Sequence, residues 1–203
     1  NKPMSHKKLK WTMFVITAVG NFIAMLDSTT VNLALYPMAC DLHVTMGQIQ
    51  WVMIAYMLIL TVFLPFFGKL GDIFPKNKLY TVGFLLFGIG AFLNTTAPTF
   101  PLLIAYRCIE AIGASILLSN GQAIIASIFK KERRGKALGL NGCIVALGGM
   151  SGPALGGILI NYFGWHSVFA PCVIVEIFGV IYSYRMLPRS VKTDIKNFKF
   201  DYR

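Results

Sequence analysis

Gly148-Gly149-Met150-Ser151-Gly152-Pro153-Ala154-Leu155-Gly156-Gly157 is the stretch on which the fold turns. Gly148, Gly152 and Gly156 recur every four residues, so on a helix they form one face without side chains. A second helix can approach its backbone closely along such a face. Pro153 has no N–H and releases the carbonyl of Gly149, which predicts a bend there. In water this density of glycine and proline argues against a helix. In a bilayer it is tolerated, because backbone groups must stay paired within the segment. The flanks, Ala137–Leu147 and Ile158–Ile160, are largely apolar.

Composition agrees with a bilayer. The chain of 203 residues is 56% hydrophobic and only 13% charged, about half the charged fraction of an ordinary soluble domain. Six apolar runs are long enough to cross a hydrocarbon core of ~30 Å at ~1.5 Å per helical residue. They cover residues 11–36, 49–67, 79–96, 100–129, 137–160 and 168–187, and the fourth is expected to end outside the membrane. The first run is too long for a signal-peptide core and has no small-residue cleavage site, so it reads as a retained span. The fold class is therefore an all-α integral membrane protein of six transmembrane helices. Residues 1–10 form its N-terminal head, 11–187 the bundle and 188–203 a polar, basic linker whose continuation is expected beyond the chain.

The net charge of +11 would point to nucleic acid in a soluble protein, but its distribution does not. Basic residues fall in the head, in 68–78, in 130–136 and in the tail, while Pro37–Gln48, Ala97–Thr99 and Asn161–Ser167 hold neither Lys nor Arg. Eighteen of the nineteen basic residues thus lie on one side of a six-span reading, and the nineteenth is Arg107 inside span four. The positive-inside rule then places both termini in the cytoplasm.

The charged residues inside the spans and away from their ends are Asp27, Arg107, Glu110 and Glu176. Counted from the expected outer ends of their spans they lie roughly 14, 10, 15 and 12 Å deep, in one layer outward of the midplane. A buried charge in a span is costly and is by default a functional candidate. Arg107 and Glu110, three residues apart, share a helix face. The four cysteines make no CxxC pair or ligand-spaced set, and no G-x-x-x-x-G-K-S/T or H-E-x-x-H occurs. These features give no metal site or cofactor and argue against a self-contained ATPase. Asn94-Thr95-Thr96 fits a glycosylation acceptor but falls at the end of a span and reads as chance.

Several of these stretches carry a family resemblance. The pattern G-x-x-x-G-P-x-x-G-G, with Gly148, Gly152, Pro153, Gly156 and Gly157, resembles the fifth-helix antiporter motif of the major facilitator superfamily. Gly68-Lys69-Leu70-Gly71-Asp72-Ile73-Phe74-Pro75-Lys76-Asn77-Lys78 resembles its signature loop G-x-L-A/G-D-R-x-G-R-K. Gly68, Leu70, Gly71, Asp72, Lys76 and Lys78 match; Ile73 and Pro75 depart from it. Lys131-Glu132-Arg133-Arg134-Gly135-Lys136 is similar to the E-R-G-x-A loop, which makes Arg134 a candidate partner of Asp72. Leu26-Asp27-Ser28-Thr29-Thr30-Val31-Asn32-Leu33-Ala34-Leu35 is similar to L-D-x-T-x-V-N-V-A-L-P, the first-helix signature of the fourteen-span drug:proton antiporters. Arg107-Cys108-Ile109-Glu110-Ala111-Ile112-Gly113 resembles R-x-x-Q-G-x-G, with Glu110 and Ala111 replacing Gln and Gly, and Phe200-Asp201-Tyr202 resembles the F-D-Y/W after span six.

The resemblance covers essentially the whole chain and implies the N-terminal half of a secondary transporter of the cell membrane, not an enzyme. It implies export of drugs or amphipathic compounds against inward proton flow, with the proton gradient as energy source and no cofactor. Asp27, Arg107, Glu110, Glu176 and Asn32 would line the proton and substrate pathway. Gly68–Lys78 with Arg134 would form a cytoplasmic gate and Gly148–Gly157 a hinge or the interface between halves. The partners implied are the lipid bilayer, a C-terminal transmembrane half and a small-molecule substrate, without nucleic acid. A symporter or metabolite exporter on the same fold is an alternative. So is a half-length membrane subunit or truncated gene product that does not transport.

Overall fold

The computed structural model describes residues 6–186, with the side chains of 6–9, 76, 77 and 186 outside the description. The head up to residue 5, the linker 188–203 with Phe200-Asp201-Tyr202, and the side chain of Lys76 lie outside the described residues. Seven α-helices follow one another: α1 His6–Asp41, the short α2 Met46–Ile49, α3 Trp51–Ile73, α4 Lys76–Asn94, α5 Phe100–Ile128, α6 Lys131–Phe163 and α7 Ala170–Met186. A 3₁₀ turn, Trp165–Phe169, leads into α7. Thr45 opens α2 with a capping box, its hydroxyl accepting from the Gln48 N–H while the Gln48 side chain accepts from the Thr45 N–H. Gly164, at φ 78°, ends α6 in a backbone conformation that favours glycine.

Five segments are long and apolar enough to span a membrane: Lys10–Asp41, Met46–Ile73, Phe100–Ile128, Lys131–Phe163 and Trp165–Arg185. The third expected span is the shorter apolar Lys78–Asn94, within a 19-residue helix that reaches roughly 28 Å. Helices α1, α3 and α6 overrun the expected spans, while α5 and α7 stay within them. α1 continues to Asp41, where Trp165 Nε1 donates to the Asp41 carboxylate at 2.9 Å and Met38 and Ala39 join an apolar cluster with Ile49, Val52 and Trp165. Asp27 therefore lies fourteen residues inside the helix end, roughly 21 Å rather than 14 Å deep. α3 runs through Gly68–Ile73, so most of the expected signature loop is helical; the connection is reduced to Phe74 and Pro75. Proline holds Phe74 extended and stops the helix. Lys131–Lys136 is likewise the start of α6, not a turn. α6 runs unbroken through Pro153.

Packing runs between the first three long helices, α1, α3 and α4, and the last three, α5, α6 and α7, rather than within either set. The first helix of each lies against the second of the other, α1 on α6 and α5 on α3. α4 packs on α5 and α7, and α1 also touches α5 and α7. The interior is apolar with a set of buried polar groups, and the outer surface is apolar as well. Leu58, Val62 and Phe66 on α3 and Ile174, Ile177 and Phe178 on α7 face outward, whereas Asn21, Asp27, Asn94, Arg107, Glu110 and Glu176 are buried. An apolar surface of that extent is stable against lipid, not water. The chain is a multi-pass membrane protein.

Candidate functional site, a buried ion cluster

The Gly148-Gly152-Gly156 face meets α1. A Cβ on Gly148 would lie 2.6 Å from the Phe22 carbonyl oxygen and one on Gly156 2.9 Å from Thr30 Cγ2, while one on Gly152 would overlap the Thr29 hydroxyl. The groove expected to serve a hinge or the contact between halves is thus filled from within the bundle. Thr30 Oγ1 donates to Leu26 O at 2.7 Å, keeping its polar atom inside the interface. Asn21 Nδ2 donates to Asn141 Oδ1 at 3.2 Å and ties the same two helices deeper down. With this face of α1 held against α6, Asp27 turns toward α5 and α7.

There Arg107 Nη1 donates to Asp27 Oδ2 at 2.8 Å and to Glu110 Oε2 at 2.7 Å. All three side chains are fully buried. Asn94 Nδ2, from the end of α4, donates to the same Glu110 oxygen at 2.6 Å. The approach depends on Gly90, where a Cβ would sit 2.6 Å from Glu110 Cα. Below the guanidinium lies the Tyr56 ring, 4.2 Å from the guanidinium carbon to the ring centre, a cation–π contact. Helices α1, α3, α4 and α5 each contribute a group. Cys172 of α7 brings its Sγ to 3.9 Å from Asp27 Oδ1.

Glu176 sits one turn further along α7, buried, with its β-carbon 3.0 Å from where a Gly88 side chain would begin. Its two carboxyl oxygens have no hydrogen-bond partner among the described residues, and the same holds for Glu110 Oε1, Arg107 Nε and Nη2, Asn94 Oδ1 and the Tyr56 hydroxyl. Fully ionised, Asp27, Glu110 and Glu176 against Arg107 would leave two uncompensated negative charges in a dry interior, an arrangement that low dielectric penalises heavily.

Of the expected pathway residues, the structure joins Asp27, Arg107 and Glu110 directly and places Glu176 beside them. Asn32 is exposed, outside the ion cluster. At the other end Asp72, Lys78 and Arg134 are exposed, and neither Asp72 nor Arg134 forms an ion pair among the described residues, so their expected pairing is not made here. Leu70 is half-buried, and Gly71 packs directly on Asn120, whose Nδ2 donates to Phe67 O at 3.2 Å. These two residues join α3 to α5. Gly157 and Pro153 lie at the edge of the glycine face, Pro153 exposed. Two members of the cluster were not singled out from sequence. Asn94 is a buried donor, consistent with a chance acceptor motif. Tyr56 was a polar ring within an apolar span, which was its one available signal.

Residues 17–200 match the Major Facilitator Superfamily, and the chain belongs to that family of transporters, not enzymes. It is 42% identical over 194 residues to the riboflavin transporter RibZ of Clostridioides difficile, covering 96% of this chain and 42% of that protein. It is 32% identical over 179 residues to multidrug resistance protein 3 of Bacillus subtilis, covering 86% of this chain and 35% of the relative. The fold matches that of the proton:xylose symporter XylE with a TM-score of 0.80 at 14% identity, over 92% of this chain and 46% of the other. The chain thus spans less than half the length of these relatives.

Proposed function

We propose that the chain is the N-terminal bundle of a proton-coupled secondary transporter that exports small amphipathic organic compounds, with both ends of the bundle in the cytoplasm. The observation that carries this reading is the Asp27–Arg107–Glu110 cluster, closed on all sides at the heart of a membrane bundle. A guanidinium shared by two carboxylates needs one proton to be neutral overall. Binding or releasing that proton changes which carboxylate the arginine holds, and so couples proton content to helix position. Arg107 sets the balance, Asp27 on α1 and Glu110 on α5 are the exchangeable partners, and Glu176 adds a third carboxyl in the same layer. Asp72, at the cytoplasmic end of α3, belongs to the gate in this reading, engaging Arg134 or a further half in another state of the cycle.

The substrate class rests on the relatives. The multidrug-resistance likeness favours a broad range of amphipathic compounds. The 42% identity to a riboflavin transporter favours a second reading, in which the substrate is a flat heteroaromatic vitamin. Cells expressing the complete protein, loaded with riboflavin or with fluorescent drugs, would separate the two. Efflux that collapses on addition of a proton uncoupler is the expected result; transport of neither class, or transport indifferent to the uncoupler, would refute the proposal.

A further inference from the structure

At the end of the bundle that the charge census assigns to the cytoplasm, α1, the end of α5 and the start of α6 enclose a recess of about 880 Å³. Its floor is aromatic. Trp11, Phe14 and Phe129 meet edge to face with ring centres 5.8, 5.9 and 6.1 Å apart. Its rim is basic, formed by Lys10, Lys130, Arg133 and Lys136, and among the described residues no acidic one lines it. The basic connection obeys the positive-inside rule, but that rule asks only for charge on one side, not for its arrangement. Here Arg133 and Lys136, in the first turns of α6, join Lys130 at its N-cap on the recess, with Ala137 and Leu140 continuing the lining inward, while Glu132 and Arg134 do not line it. An apolar well under a ring of cations, at the depth where an indole prefers to sit, is complementary to one kind of molecule: a phosphate head with acyl chains below it.

We propose that this recess binds an anionic phospholipid of the adjoining leaflet, its phosphate held by Lys10, Arg133 and Lys136 and its first acyl carbons packed on Trp11 and Phe129. The leaflet rests on the orientation proposed above; the site itself does not. The arginine presents a planar fork to phosphate oxygens and the lysines add point charge. A bound lipid would tie the start of α6 to α1, the helix that carries Asp27.

The test is Trp11 fluorescence in the purified chain in nanodiscs containing phosphatidylcholine and phosphatidylglycerol at fixed proportions, with one or the other lipid brominated on its acyl chains. The Trp11 signal is the difference between the chain and Trp11→Phe. Normalised to mole fraction, brominated phosphatidylglycerol should quench it roughly threefold or more beyond brominated phosphatidylcholine, since each basic side chain near the surface favours an anionic lipid. The double variant Arg133→Gln/Lys136→Gln should abolish that preference at an unchanged thermal midpoint, and Lys69→Gln/Lys78→Gln should preserve it. Equal quenching by the two lipids overturns the proposal, and so does a preference that survives the first variant or is lost with the second. Loss of the preference on adding inorganic phosphate would assign the site to free phosphate and also overturn it. In vesicles with the brominated anionic lipid in one leaflet only, quenching from the opposite leaflet would contradict the orientation and leave the site standing.

Discussion

Replacing Arg107 by methionine removes the one cation of a cluster in which every member is buried. The side chain makes two charge-assisted hydrogen bonds, of 2.8 and 2.7 Å, and covers the Tyr56 face at 4.2 Å. Methionine fills most of the volume, so cavity formation is a minor part of the effect. The dominant loss is that Asp27 and Glu110 remain in the interior without a counter-charge, which in other buried pairs costs about 3–5 kcal/mol. That corresponds to a shift of roughly two to four decades in the unfolding equilibrium. The triple variant Arg107→Met/Asp27→Asn/Glu110→Gln removes the three hydrogen-bonded charges together and leaves Glu176 as it is in both proteins. It should recover most of that loss, because a neutral set has no unpaired charge to desolvate. Both proteins would be unfolded reversibly in mixed micelles and followed by helical circular dichroism and Trp fluorescence. A loss below about 1 kcal/mol for Arg107→Met would show that the guanidinium does not balance the carboxylates. A triple variant no more stable than the single one would refute the charge argument while leaving the packing one.

Gly152→Val should destabilise the chain by about 1–3 kcal/mol, because the new side chain meets Thr29 and the Leu26 carbonyl. Gly157→Ala, where a Cβ would rest 3.9 Å from Leu33, should be near neutral in the same unfolding measurement. Glu110→Gln leaves Asp27 and Arg107 paired one to one; in the complete transporter it should flatten the pH dependence of export while leaving expression unchanged, as seen in transport rates across a pH series. His43→Cys in an otherwise cysteine-free chain should react with an impermeant maleimide added outside intact cells, since the α1–α2 connection faces outward in the proposed topology. Labelling only after the membrane is broken would invert it.

The sequence revealed more of the helices than of their contacts. Runs of apolar residues and alternating basic connections defined six spans because lipid imposes one strong rule on every residue of a span. Their ends were less legible: α1 extends to Asp41 because Trp165, distant in sequence, donates to it, and no local pattern announces such a bond. Depth counting brought Asp27, Arg107, Glu110 and Glu176 into one layer, yet rotation about each helix axis decides who touches whom. That rotation is set for α1 by the glycine face of α6 and for α4 by Gly90 against Glu110, so Asn94 became a partner of the cluster through a contact between helices. The same reasoning explains the glycine motif. Its spacing predicted a close helix neighbour, and only the fold could say that the neighbour was α1. Asp72 and Arg134 shared an end of the bundle in sequence, but exposed side chains on separate helices have nothing to compel their meeting.

The central claim is that the buried carboxylates move protons, and Asp27→Asn tests it most directly. The change keeps the shape of the side chain and removes its titration. In proteoliposomes of the complete transporter, substrate-driven proton release should be lost, while substrate affinity, measured on the same preparation, stays within about threefold of the parent. Undiminished proton release by the Asp27→Asn protein would contradict the account and leave Asp27 as a structural partner of Arg107.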